Sequence, residues 1–235
     1  MAPLDPLPAR MAGVIRRPRR TFSALKAVPR WGDVLLVTFL VTAALSAALL
    51  ETGIGRLALL DQWERTAVAF GQEVSDEQYA AMRDASERGA VYAVASSLAG
   101  GPAMVLGLAV LLFAGFRLSG ARGVTYRQIL SVVAHAGVIL MLRQVIATPI
   151  VYARETLASP VTLNLFVPVL DEASPLARFL AAIDLFVVWW IVVIAIGMSV
   201  LYGRSARRLA TIFIGIYALL AATLALAMAL TGGIA

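Results

Sequence analysis

Three ionisable side chains lie inside otherwise apolar stretches of this sequence: Asp184, Arg143 and His135. Between Phe179 and Val200, Asp184 is the only ionisable residue, with "FLAAI" before it and "LFVVWWIVVIAIGMSV" after it. Ionisable groups in hydrocarbon are costly unless they are paired or face a wet cavity. The chemistry open to these residues is therefore an intramembrane ion pair, or a relay that passes protons or ions.

The stretches that carry these residues are long enough to cross a bilayer. Of the 235 residues, 60% are apolar and 14% are charged, and the mean hydropathy is +0.85. Apolar runs of about twenty residues recur, and each would span a ~30 Å hydrocarbon core as a helix. The sequence therefore predicts an all-α, polytopic transmembrane helical bundle, and the composition excludes an ordinary soluble domain.

The chain divides into a basic N-terminal segment and a transmembrane domain. We assign residues 1–32 to the basic segment, which contains a short interfacial helix, and residues 33–235 to the transmembrane domain. Residues 53–89 form a loop rich in acidic residues. Five transmembrane helices are predicted, at about residues 33–52, 90–116, 128–152, 178–202 and 209–230.

Two local signals predict where helices start. Ser75 and Gln78 have the spacing of a capping box, which would begin a helix in the acidic loop. Ser174 followed by Pro175 places a hydroxyl cap before a proline at the first helical position.

The distribution of positive charge predicts the orientation. Basic residues gather before the first span, in the turn 117–127 and in the turn 203–208. An odd number of spans separates each of these segments from the acidic loop, so the basic segments share one side of the membrane and the acidic loop lies on the other. By the positive-inside rule the N-terminus is cytoplasmic and the C-terminus extracytoplasmic. The expected location is a bacterial cytoplasmic (inner) membrane.

Helix rise places Arg143 and Asp184 at nearly the same depth. With Gln128 at the cytoplasmic edge, Arg143 lies roughly 22 Å into the membrane. With Arg178 at the outer edge, Asp184 lies about 21 Å from the cytoplasmic side. We therefore predict a structural ion pair between Arg143 and Asp184. The alternative is a polar relay, to which His135 would contribute from about 12 Å nearer the cytoplasm.

Two further sets of residues predict contacts. Small residues at four-residue intervals in the second span favour close helix packing, within the bundle or between copies of the chain. Basic residues before the first span favour contact with anionic lipid at the cytoplasmic face, or with a protein partner. The sets are Ala95, Ala99, Ala103 and Gly107, and Arg16, Arg17, Arg19, Arg20 and Lys26.

Residue types and motifs argue against catalysis. The chain has no cysteine and a single histidine, which excludes thiolate catalysis and a multi-histidine metal cluster. It also lacks the metalloprotease, nucleophile-elbow and phosphate-loop motifs. We therefore expect no enzyme activity, no catalytic residue, no cofactor and no metal. Positive charge in such a chain reports orientation first, so no nucleic-acid partner is expected.

Three stretches resemble the bacterial branch of the Yip family, named for Ypt-interacting proteins. They are "RRPRRTFSALKAVPRW" before the first span, "TYRQILSVVAHA" at the start of the third, and "IDLFVVWWIVVIAIGMSVLYGRS" over the fourth. The resemblance implies a five-helix integral membrane protein with a cytoplasmic N-terminus. In eukaryotic relatives it implies contact with Rab-type GTPases and a role in vesicle traffic or membrane shape. It brings no catalytic residues to map onto this chain.

The sequence thus predicts a non-enzymatic membrane organiser or adaptor. It would act through lipid, an unidentified protein partner and self-association as a homo-oligomer. The alternative is a small transporter or channel for an ion, proton or small solute that uses Asp184, Arg143 and His135.

Overall fold

The structure of the chain, a computed structural model, describes residues 5–167 and 174–232. Five of its helices are long and apolar enough to cross a membrane, which confirms the predicted all-α, polytopic transmembrane fold. These helices are α3 (Gly32–Leu50), α6 and α7 (Gly89–Ala95 and Gly101–Leu118, joined by the π-helical turn Ser96–Gly100), α8 (Tyr126–Arg154), α10 (Leu185–Tyr202) and α11 (Ala206–Gly232).

The chain forms two compact units, and the boundary between them divides several membrane helices. Where the chain is described, the first unit contains residues 5–42, 96–143 and 186–215. The second contains residues 43–95, 144–167, 174–185 and 216–232.

The N-terminal segment forms two short helices where the sequence predicted one. Helix α1 spans Leu7–Arg16 and α2 spans Pro18–Ala27; the residue between them, Arg17, has φ −144° and ψ 57°, outside the helical region. Proline suits the first position of α2 because a backbone N–H there would have no helical partner. The two helices fold back on each other, since a Cβ on Gly13 would overlap Oγ1 of Thr21. We call residues 7–27 the N-terminal helix pair.

The N-terminal helix pair belongs to the core of the first unit. Val14 and Phe22 are 0% exposed and Leu25 is 1% exposed. They join Val132 of α8 and Met198 of α10 in one apolar cluster. Burying such a side chain fully contributes about 1.5–3 kcal/mol, so the pair is packed against protein and does not lie freely on lipid.

Glycine is required at position 197 of α10. A Cβ there would overlap Cγ1 of Val132 and lie 3.3 Å from Cδ2 of Phe22. Val132 is buried, and its branched side chain has little rotational freedom. We expect Gly197→Ala to lower the free energy of unfolding by about 1–3 kcal/mol through overpacking, as measured by thermal or denaturant unfolding in detergent.

The matched control for this change is Gly215→Ala in α11. Gly215 is exposed, and a Cβ on it would have nothing within 4 Å. Alanine there should be neutral or stabilise the helix by up to about 1 kcal/mol. Equal effects of the two substitutions would contradict the close packing at Gly197.

The acidic loop forms two helices, α4 (Gly53–Ala69) and α5 (Asp76–Ser86). Both hydrogen bonds of the predicted capping box are present at the start of α5. The Gln78 N–H donates to Oγ of Ser75 at 3.2 Å, and the Ser75 N–H donates to Oε1 of Gln78 at 3.0 Å. The helix start predicted at Ser75 is therefore confirmed.

The fourth membrane helix begins at Leu185 and not near residue 178 as predicted. The residues before it form a separate short helix, α9 (Pro175–Ala182), capped by Ser174 as expected. Between α9 and α10 the chain pairs antiparallel with an earlier loop: the Leu163 N–H donates to the Ile183 carbonyl and the Leu185 N–H donates to the Val161 carbonyl. These bonds replace helical ones, so the helix is interrupted.

Candidate functional site

A buried arginine of α1 joins polar residues of two membrane helices in the first unit. The Arg10 side chain is 3% exposed. Its Nη2 donates to Oδ2 of Asp33 at the start of α3 and forms an ion pair with it. Its Nη1 lies 3.1 Å from Nε2 of His135 on α8. The N-terminal helix pair is therefore held by a polar contact as well as by apolar packing.

The hydrogen bonds of His135 show which ring nitrogen carries the proton. Nδ1 lies 2.8 Å from the carbonyl oxygen of Ser131, one helical turn earlier. A carbonyl can only accept, so Nδ1–H is the donor; a guanidinium can only donate, so Nε2 accepts from Arg10. The ring is 0% exposed. This arrangement requires a neutral imidazole with an unprotonated Nε2.

Asp33 has a second role at the start of α3. Its Oδ1 accepts a hydrogen bond from the Val34 N–H at 2.9 Å. A carboxylate in the first turn also suits the positive end of the helix dipole. One carboxylate therefore connects the helix pair to the beginning of the first membrane helix.

The Nε of Arg10 is buried and has no hydrogen-bond partner among the described residues.

Lys26 anchors the other end of the helix pair. Its Nζ donates to the carbonyl oxygens of Val200 and Leu201, both at 3.1 Å. These belong to the last four carbonyls of α10, which have no helical partner. Gln128 at the start of α8 donates from Nε2 to the Lys26 carbonyl at 2.8 Å. The pair therefore lies at the end of the first unit where α10 ends and α8 begins.

Four arginines surround the connection between α1 and α2, and we call them the arginine turn. All four are exposed, and within residues 5–167 and 174–232 their side chains form no hydrogen bond or ion pair. They are Arg16, Arg17, Arg19 and Arg20. The five residues predicted to contact lipid thus fall into two groups: Lys26 is bonded to α10, and the four residues of the arginine turn face outward.

The small residues of the second span face outward. The stripe crosses the π-helical turn, and its members Ala95, Ala99, Ala103 and Gly107 are all exposed. The face of α7 that packs inward carries Val105 and Ala109. Close helix packing through the stripe therefore stays a prediction.

Asp184 lies in the second unit at the break between α9 and α10. The side chain is buried, and its Oδ2 accepts a hydrogen bond from Oγ of Ser159 at 2.8 Å. Its backbone N–H donates to Oη of Tyr217 at 3.1 Å, and that hydroxyl donates to the Ala182 carbonyl at 2.8 Å. Arg143 is the last α8 residue of the first unit. The ion pair between Arg143 and Asp184 stays a prediction.

The sequence did not identify Asp33 and His135 as the partners of Arg10. One signal was present: Leu7, Met11 and Val14 follow a helical apolar spacing, and Arg10 falls on the same face of α1. An arginine on an apolar helix face requires a buried acceptor. The identity of that acceptor could not be derived, since His135 lies 125 residues away in sequence.

The described residues contain no group of three or more His, Cys, Asp or Glu side chains that could hold a metal ion. The arrangement around Arg10 is instead suited to docking, because the two terminal nitrogens of its guanidinium bond to a carboxylate of α3 and to a neutral imidazole of α8.

Comparison with known proteins gives one finding. The family model of the Yip1 domain matches residues 12–229, which include all of α2 and every membrane helix as far as Ala229 in α11. No curated protein and no solved structure matches the chain.

Proposed function

The chain belongs to the Yip1 domain family, and we propose that this integral membrane protein is a non-enzymatic organiser or adaptor whose arginine turn contacts anionic lipid. The proposal places the N-terminus in the cytoplasm, at the bacterial inner membrane. It includes association with an unidentified protein partner and with further copies of the chain.

The observation that carries this proposal is the exposed arginine turn on a docked helix pair. Each basic residue near an anionic surface contributes about 1 kcal/mol of attraction. Arg10 and Lys26 fix the helix pair on the first unit, so less ordering is required when the arginines meet headgroups.

The position of the helix pair supports the proposed orientation. Lys26 and Gln128 place it at the end of the first unit that also carries the turns between α7 and α8 and between α10 and α11. These turns and the helix ends beside them are basic: together they contain Arg117, Arg122, Arg127, Arg204, Arg207 and Arg208. Positive charge therefore gathers at one end of the unit, as expected of a cytoplasmic face.

Lipid preference in nanodiscs tests the proposal. Changing Arg16, Arg17, Arg19 and Arg20 to glutamine should lower the preference of the full-length protein for spin-labelled phosphatidylglycerol over phosphatidylcholine. We expect a change of about fivefold, equivalent to about 1 kcal/mol averaged over the contacting lipids. High salt should weaken the wild-type preference in the same direction.

A control with the same loss of charge is available in the acidic loop, where Arg56, Arg65, Arg83 and Arg88 can be changed to glutamine. This variant should keep the wild-type lipid preference. If both variants lose the preference equally, or neither does, the arginine turn is not the lipid contact.

One observation favours the alternative of a small transporter or channel. Asp184 lies at an interruption between two helices, and transporters commonly place ion sites at discontinuous helices. Proton or solute flux in proteoliposomes that is lost in Asp184→Asn would favour transport over the organiser role.

A further inference from the structure

We propose that acid releases the N-terminal helix pair from the first unit by protonating His135. This inference concerns the docking of the pair and goes beyond contact with lipid.

The contact between Arg10 and His135 can form only with a neutral imidazole. Nδ1–H is already committed to the Ser131 carbonyl, so a second proton would have to bind Nε2. That nitrogen is the acceptor for Arg10 Nη1 at 3.1 Å. Protonation would remove the acceptor and set two cations against each other in a site without solvent.

Undocking of the helix pair removes the requirement that the imidazole of His135 stay neutral. Once the helix pair leaves, water reaches the imidazole, and an imidazole in water takes up a proton near pH 6.5. The docked state therefore binds fewer protons than the undocked state. By linkage, docking is strongest above about pH 6.5 and weakens as the pH falls, by up to roughly tenfold per unit.

The other titratable groups on the helices that share the apolar cluster with α8 do not supply this response. Asp33 of α3 is paired with Arg10, and an aspartate ordinarily titrates near pH 4, below the relevant range. Helix α10 carries Tyr202 as its only titratable residue, and that ring stacks on Phe116 at 4.2 Å. Lys26 of α2 is bonded to the end of α10. Arg117 of α7 lies over the Phe113 ring at 5.1 Å.

Hydrogen–deuterium exchange of the backbone amides of residues 7–27 tests the inference. The full-length protein is placed in nanodiscs of phosphatidylcholine, so that docking is measured without anionic lipid. Exchange is compared between wild type and His135→Gln at each pH from 7.5 to 5.0. Glutamine can accept from Arg10 but cannot be protonated, and the ratio cancels the intrinsic pH dependence of exchange.

We expect the ratio of wild-type to variant exchange to rise by up to about tenfold per pH unit below about 6.5. Asp33→Asn should keep this response, since His135 remains. A ratio that stays constant from pH 7.5 to 5.0 would overturn the inference, whatever the lipid preference of the arginine turn.

The test does not depend on one variant folding. In the wild-type protein alone, exchange of residues 7–27 can be compared with that of α5 after correction for intrinsic rates. Arg10→Gln provides a second reference, because a neutral amide at position 10 does not repel a protonated imidazole. If the corrected exchange rates of the helix pair and of α5 change in parallel as the pH falls, release through His135 is also contradicted.

Discussion

Replacing Phe22 by alanine should lower the free energy of unfolding by about 3–5 kcal/mol. Phe22 is 0% exposed and lies in the same apolar cluster as Val132 and Met198. Its removal would leave a cavity beside Gly197, where the neighbouring helices are already held in close contact. Thermal or denaturant unfolding of the purified protein in detergent measures the loss.

The control is Ile15→Ala in the same helix pair. Ile15 is 38% exposed, so its truncation should change the free energy of unfolding by less than about 1 kcal/mol. The comparison separates two pictures of the N-terminus. A helix lying on lipid would lose little stability through either change, and a small effect of Phe22→Ala would show that the pair is not part of the core.

Replacing Arg10 by methionine should cost about 3 kcal/mol of stability. Methionine keeps much of the apolar stem but leaves Asp33 and His135 without their partner, and breaking a buried pair on one side costs about 3–5 kcal/mol. We take the lower end because Asp33 is 39% exposed. Exchange protection of the amides in residues 7–27 should fall by about two orders of magnitude, in line with that free energy.

A double-mutant cycle tests whether the loss arises from the ion pair. Arg10→Met and Asp33→Asn combined should cost less than the sum of the single changes, with a coupling of about 0.5–3 kcal/mol. Additive losses would mean that Arg10 stabilises the pair through packing alone. Lys26→Met is the matched control, because Lys26 bonds to backbone carbonyls and should show no coupling to Asp33.

The features of the fold that depend on local sequence could be predicted. Five apolar stretches indicated five membrane helices, since crossing hydrocarbon requires about twenty apolar residues in a helix. The starts of α5 and α9 were indicated because Ser75 and Ser174 cap backbone groups within three residues. These signals depend on neighbours in sequence and not on the tertiary fold.

Two features could not be derived, because they depend on distant segments. The interruption at Ile183 and Asp184 arises from pairing with residues 161–163, although the local sequence continues as an apolar run. The site around Arg10 arises from tertiary contacts. The local sequence indicated only that the N-terminal segment is basic. Arg10 is one of the basic residues before the first span, and its charge alone indicates only orientation, whereas in the structure it is buried and paired.

The long sequence separation of these contacts has a consequence for biosynthesis. Lys26 bonds to carbonyls 174 and 175 residues later in the chain. At about 5–20 residues per second, the ribosome completes the helix pair roughly 10–35 s before those carbonyls exist. During that interval Phe22 and Leu25 lack the α10 part of their apolar cluster, so the nascent chain must shield them on the membrane surface or with a chaperone until the fourth helix is inserted.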